Sequence, residues 1–109
     1  MKNPPKEILI LEEDPDLGEL LRVCLRKEGY RAALCQTARE ALSQAAERPV
    51  DLLILGFLTP HGSGPEVCRR LQKISYPWGI PVVHLRRPCD PAEVLRTVKL
   101  LLDQELIYL

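Results

Sequence analysis

The sequence predicts an α/β fold, a parallel sheet covered on both faces by helices, and three observations carry this prediction. Short runs that are apolar at every position recur, as in Ile8 to Leu11 and Leu52 to Leu55. A strand buried on both faces of a parallel sheet reads this way, whereas a half-exposed strand alternates. Between these runs lie segments with apolar residues at helical spacing, each opened by a side chain suited to cap a helix. Strand and helix then alternate in strict order, as they must where each parallel strand is reached through a crossover helix.

After a polar lead, Met1 to Lys6, the first strand runs from Ile8 to Leu11 and stops at Glu12-Glu13-Asp14. Asp14-Pro15 is an N-cap followed by proline at the first helical position, and Leu17, Leu20, Leu21, Cys24 and Leu25 form the apolar face of a helix closed by Gly29. Tyr30 to Cys35 is the second strand. Thr37-x-x-Glu40 is a capping box that opens a helix with Ala38, Ala41, Leu42 and Ala45 inward, ended by Pro49. Leu52 to Leu55 is the third strand, and Gly56 to Gly64 has loop composition. Ser63-x-x-Glu66 caps a further helix with Val67, Leu71 and Ile74 on its inner face. Ile80 to Leu85 is the fourth strand, with Pro81 tolerated near its start. Asp90-Pro91-x-Glu93 caps the last helix, whose buried stripe is Val94, Leu95, Val98, Leu101 and Leu102. An apolar tail, Leu106 to Leu109, follows.

A chain of 109 residues is the size of one domain, so residues 1–109 are read as a single unit without repeats or linkers. Fifteen basic residues balance fifteen acidic ones, so no overall field draws the chain onto nucleic acid or an anionic membrane. Cys24, Cys35, Cys68 and Cys89 lack the close pairing of a zinc site and read as small apolar residues. The lead has no signal-peptide character, and no run approaches the roughly eighteen apolar residues of a membrane span. The expectation is a cytoplasmic protein whose partners are proteins.

Ile8 to Leu17, then Pro49 to Leu55, then Ile80 to Val83, then Arg87 to Val94 resemble, in order and at fitting intervals, the receiver domain of bacterial two-component response regulators. The resemblance covers nearly the whole chain. It implies a doubly wound, flavodoxin-like (CheY-like) sheet with strand order 2-1-3-4, whose site lies beyond the carboxyl ends of the strands. Glu12, Glu13, Gly56 and Arg86 are therefore expected to converge. In the family, an acidic pair after strand one and an aspartate ending strand three hold magnesium, and that aspartate accepts the phosphoryl group. Here the pair falls on Glu12 and Glu13, while the acceptor position falls on Gly56, which has nothing to phosphorylate. The family's hydroxyl after strand four falls near Arg86 and its lysine before proline on Arg87. Arginine makes planar forked contacts and does not reproduce a lysine point charge. These five residues are read as a degenerate phosphorylation site. The expected cofactor is none, with magnesium bound weakly at best by Glu13 and Glu12. Between Leu85 and Arg87 there is no room for the family's fourth helix and fifth strand, which are missing or replaced.

Two further readings concern this corner and the tail. An arginine, Arg86 or Arg87, is expected to fill the space of the metal and phosphoryl group. The last helix either packs beside the first, leaving strand four as an edge open to pairing with a second copy, or crosses strand four so that the tail returns as a fifth strand. Tyr76, Trp78, His84 and Tyr108 are the candidate interface residues. Thr59, His61 and Ser63 show no complete nucleophile, base and orienting group, so no enzyme activity is expected. Arg69, Arg70 and Lys73 read as a solvated helix face rather than a nucleic-acid surface. The expected function is a stand-alone, phosphorylation-independent receiver-like module that binds a protein partner or itself. The alternative is an active phosphoryl-accepting or magnesium-binding regulator with a non-standard acceptor.

Overall fold

The computed structural model describes residues 4–56, 69–70 and 80–103. Four strands, β1 (Glu7–Leu11), β2 (Arg31–Cys35), β3 (Leu52–Leu55) and β4 (Val82–His84), form one sheet in the order β2-β1-β3-β4, and every pair is parallel. The helices among the described segments are α1 (Pro15–Lys27), α2 (Ala38–Glu47) and α3 (Pro91–Leu102). This is the truncated doubly wound sheet that the sequence predicts.

The uniformly apolar strands are explained by two cores, one on each face. Ile8, Ile10, Leu52, Ile54 and Val83 turn to one side, where Leu21 and Leu25 of α1 and Val94 and Val98 of α3 cover them. Leu9, Leu11, Cys35, Leu53 and Leu55 turn to the other, against Ala41 and Ala45 of α2. Each fully buried Leu or Ile side chain contributes ~1.5–3 kcal/mol, so neither face tolerates a polar substitution. Alternation is present in direction but hidden in composition.

The helix ends follow the caps. Asp14 Oδ1 accepts from the amides of Asp16 (2.9 Å) and Leu17 (3.3 Å), and Thr37 and Glu40 close the capping box on each other. Gly29, at φ +95°, turns the chain out of α1 in a conformation that disfavours a side chain. Tyr30 belongs to that turn rather than to β2, because its amide bonds back to the Leu25 carbonyl at 3.2 Å. The fourth strand is shorter than the six residues expected, yet its ladder extends beyond it. Leu53 donates to the Pro81 carbonyl (3.0 Å) and Leu85 to the Leu55 carbonyl (2.9 Å).

The last helix takes the first of the two arrangements and packs beside α1. Lys99 pairs with Glu28 at 2.5 Å, and the Tyr30 hydroxyl donates to Asp103 at 2.8 Å. On this face α1 carries the chain from β1 towards β2. A crossover through α3 to a strand beyond β4 would move the opposite way on the same face, and so would have the opposite hand to the β1-α1-β2 unit. The tail, residues 106–109, lies outside the described residues, as does the expected helix from Ser63 apart from Arg69 and Arg70, which are helical and exposed.

Two outcomes are expected of the Tyr30 contact and its surroundings. Tyr30→Phe removes the hydroxyl bond to Asp103 and lowers stability by about 1 kcal/mol in urea unfolding. Burial pushes the Cys35 thiol up to about 11, and burial together with the Asp103 carboxylate pushes the Tyr30 phenol well above its ordinary value. Both groups hold protons in the folded chain that the unfolded chain releases, so stability falls as pH rises above about 9. Urea midpoints that stay flat from neutral pH to strongly alkaline pH would contradict this.

Candidate functional site

Parallel register brings the site together. Leu11 of β1 lies opposite Leu55 of β3, so the residues that leave these two strands, Glu12 and Gly56, emerge side by side at the carboxyl edge of the sheet. Their backbones are pinned there: the Glu12 amide donates to the Cys35 carbonyl at 3.0 Å and the Gly56 amide to the Leu11 carbonyl at 2.7 Å.

Glu12 keeps the parity of Ile8 and Ile10 and turns inward, with only 2% of its surface exposed; it is the buried charged residue among those described. A buried carboxylate is costly unless it is hydrogen-bonded. Its Oε2 accepts from the Asp14 amide at 2.8 Å, which joins the end of β1 to the capped start of α1. No buried side-chain nitrogen or oxygen among the described residues lacks a partner. Its other oxygen faces Gly56. A Cβ built on Gly56 would stand 2.7 Å from Glu12 Cδ, nearer still to Oε1, and 3.0 Å from the Leu11 carbonyl oxygen. Real Cβ atoms do not approach so closely, so the Glu12 carboxylate occupies the start of the space a side chain at position 56 would need.

Glu13, Arg86 and Arg87 are exposed. Glu12 and Gly56 are brought into contact, and the side chain nearest to a Cβ at position 56 is the Glu12 carboxylate. Arg86 instead lines a groove of about 380 Å³ with His84, Cys89, Glu93, Arg96 and Leu100, bounded by β4 and α3. His84 is exposed on β4, while Tyr76, Trp78 and Tyr108, like Thr59, His61 and Ser63, lie outside the described residues.

Sequence reasoning does not single out Cys89 as a site residue. It packs against the core shared by α1 and α3, just after the cis Arg87–Pro88 peptide. Burial pushes its thiol up, and the carboxylates of Glu12, Asp90 and Glu93 add to this, which makes it a poor nucleophile. The signal for it is its place directly before the Asp90 cap, at the strand-end edge where Glu12 also lies.

Among the described residues, the side chains at the family's three ligand positions do not offer three carboxylates to the magnesium that the family resemblance implies. Octahedral magnesium needs hard oxygen ligands converging on one point. One Glu12 oxygen is committed to the Asp14 amide, Glu13 is exposed, and position 56 has no side chain. Among the described residues no three His, Cys, Asp or Glu side chains gather closely enough to hold a metal ion. None of the described helices is long and apolar enough to cross a membrane.

Comparison with known proteins places this geometry. Residues 8–103 match the family model of the response regulator receiver domain. The DNA-binding response regulator MtrA of Mycolicibacterium smegmatis is 34% identical over 90 residues, covering 83% of this chain and 38% of that protein. The chain therefore spans well under half the length of that relative. A chain in the crystal structure of histidine kinase ThkA in complex with response regulator protein TrrA is similar at 27% identity, with a TM-score of 0.71 over 89% of this chain and 98% of that one. Vibrio cholerae chemotaxis protein CheY4, at 18% identity and a TM-score of 0.79 over 90% of this chain and 99% of that one, shares the fold. The carboxyl-edge site, the strand order and the family match agree: the chain belongs to the response regulator receiver domain family.

Proposed function

We propose that this receiver domain acts in a two-component or phosphorelay pathway without being phosphorylated, as a non-enzymatic module that binds a protein partner. One observation carries the reading. The position that should present a carboxylate to a phosphodonor is Gly56, and the nearest carboxylate, Glu12, is buried against it. A nucleophile must reach its phosphorus donor, and Glu12, at 2% exposure and bonded inward, is badly placed to do so. This also weighs against the alternative in which Glu12 or Glu13 serves as a non-standard acceptor with magnesium. The similarity to a chain from a kinase–regulator complex is in keeping with a signalling protein as the partner. DNA binding is named for MtrA as a whole protein; for this chain, with its balanced charge, we propose protein contact instead.

The surface proposed for contact is the outer edge of β4, including self-association with a second copy. Pro81 and Leu85 direct their backbone groups to β3, and in a parallel ladder the residues between them alternate. The amides and carbonyls of Val82 and His84 accordingly point away from the sheet. Among the described residues nothing pairs with that side of β4, and an open edge is a template for another strand.

Two measurements test these readings. Incubation with acetyl phosphate and magnesium is expected to add no phosphoryl mass to the intact chain, whereas a stoichiometric adduct would overturn the phosphorylation-independent reading. His84→Pro removes one outward amide at an edge position that tolerates proline. In sedimentation velocity it is expected to shift a native dimer to monomer with the fold retained, and a dimer that persists unchanged would rule out the β4 edge.

A further inference from the structure

We propose that the outer edge of β2 is a docking surface for an extended acidic segment of a partner protein, added to the sheet as a further strand and held by arginines from both helical layers. This surface lies at the other end of the sheet from Gly56 and on the opposite edge from β4. The inference rests on the protein-binding reading above and extends it by naming the chemistry of a partner.

Among the described residues β2 pairs with β1 alone. The Arg31 amide donates to the Lys6 carbonyl at 2.9 Å, and the Cys35 carbonyl accepts from the Glu12 amide at 3.0 Å. Arg31, Ala33 and Cys35 therefore turn their backbone groups to β1, and by the alternation of a parallel ladder Ala32 and Leu34 turn theirs outward. Near its amino-terminal end this edge opens into a cleft of about 310 Å³, lined by Ala32 together with Glu7, Arg26, Arg31, Gln44 and Arg48. Arg26 comes from α1, which covers one face of the sheet, and Arg48 from the end of α2, which covers the other. Arg31 has the parity of Ala33, on the α2 side. The chain as a whole is charge-balanced, yet three guanidinium groups meet here against one carboxylate, Glu7, which already pairs with Arg31 at 3.4 Å. Arg26 and Arg48 enter no salt bridge among the described residues.

Two features of the cleft select the ligand. The strand edge presents amide donors and carbonyl acceptors in turn; a free anion satisfies only the donors, whereas another strand satisfies both. Neighbouring side chains of an added strand point to opposite faces, so two adjacent acidic residues reach Arg26 on one side and Arg31 and Arg48 on the other.

The test titrates labelled protein with two synthetic peptides of equal length, one built on a valine-flanked glutamate pair and one on a valine-flanked lysine pair, and separately with tripolyphosphate. Amide NMR shifts and hydrogen exchange are the readout. The acidic peptide is expected to move the Ala32 and Leu34 amides and to slow their exchange, and the basic peptide to do neither. R26A/R48A, at two exposed positions, is expected to weaken the acidic peptide about tenfold. Ala32→Pro, which removes an outward amide at an edge position, is expected to abolish its binding. If Ala32→Pro does not fold, exchange protection of the Ala32 amide in the native chain decides in its place. Unmoved Ala32 and Leu34 amides, equal binding of the two peptides, or undiminished binding to a folded Ala32→Pro would overturn the proposal. So would tripolyphosphate that reproduces the same shifts, the mark of a small-anion site. Each of these results leaves the phosphorylation-independent reading standing, because the acetyl phosphate experiment tests that reading separately.

Discussion

The register of β1 between its two parallel neighbours is the constraint on which the rest of this domain depends. β1 bonds to β2 on one edge and β3 on the other, with Leu11 opposite both Cys35 and Leu55. Because side chains alternate along a strand, this register decides which residues enter each core, and a slip of one residue would exchange the two faces. It also decides that the residue after β1 and the residue after β3 meet. The buried contact of Glu12 with Gly56 is a consequence of strand pairing, reached before any question of phosphoryl chemistry arises.

A buried, hydrogen-bonded carboxylate at that junction has a structural effect. It ties the end of β1 to the amide of Asp14, and Asp14 in turn caps α1. Strand end, loop and helix start are linked by successive hydrogen bonds of which the first involves a charge and is therefore among the stronger kind. In a switchable receiver this corner is where an added group biases one state over another. Here the Glu12 carboxylate lies in that corner, against Gly56. On the opposite flank, α3 follows β4 directly and packs on α1 through Val94, Val98 and the Tyr30–Asp103 bond. The described sheet consequently ends at β4, with its backbone turned outward.

Much of the architecture was legible in the sequence because the signals were local. Apolar runs marked the strands, and Asp14-Pro15, Thr37-x-x-Glu40 and Asp90-Pro91 marked the helix starts to the residue. Tyr30 reads as a strand residue because its composition suits one, but the backbone bond to Leu25 draws it into the helix end. The site was legible only in outline. Topology placed Glu12 and Gly56 together, yet the adjacent acids Glu12 and Glu13 look alike until parity with Ile8 and Ile10 turns one inward and leaves the other exposed. Attraction between opposite charges suggests an arginine as the occupant of the acceptor space. In the structure Glu12, attached at the junction itself, lies against Gly56, and Arg86 follows β4 into an exposed groove.

The central claim, that Glu12 turns inward and bonds the Asp14 amide at the acceptor position, is tested most directly by a scalar coupling across that hydrogen bond in labelled protein. A correlation between the Asp14 amide nitrogen and the Glu12 side-chain carboxylate carbon is the predicted result. A well-resolved Asp14 amide with no such correlation, together with Glu12 side-chain relaxation typical of a freely rotating surface carboxylate, would contradict it.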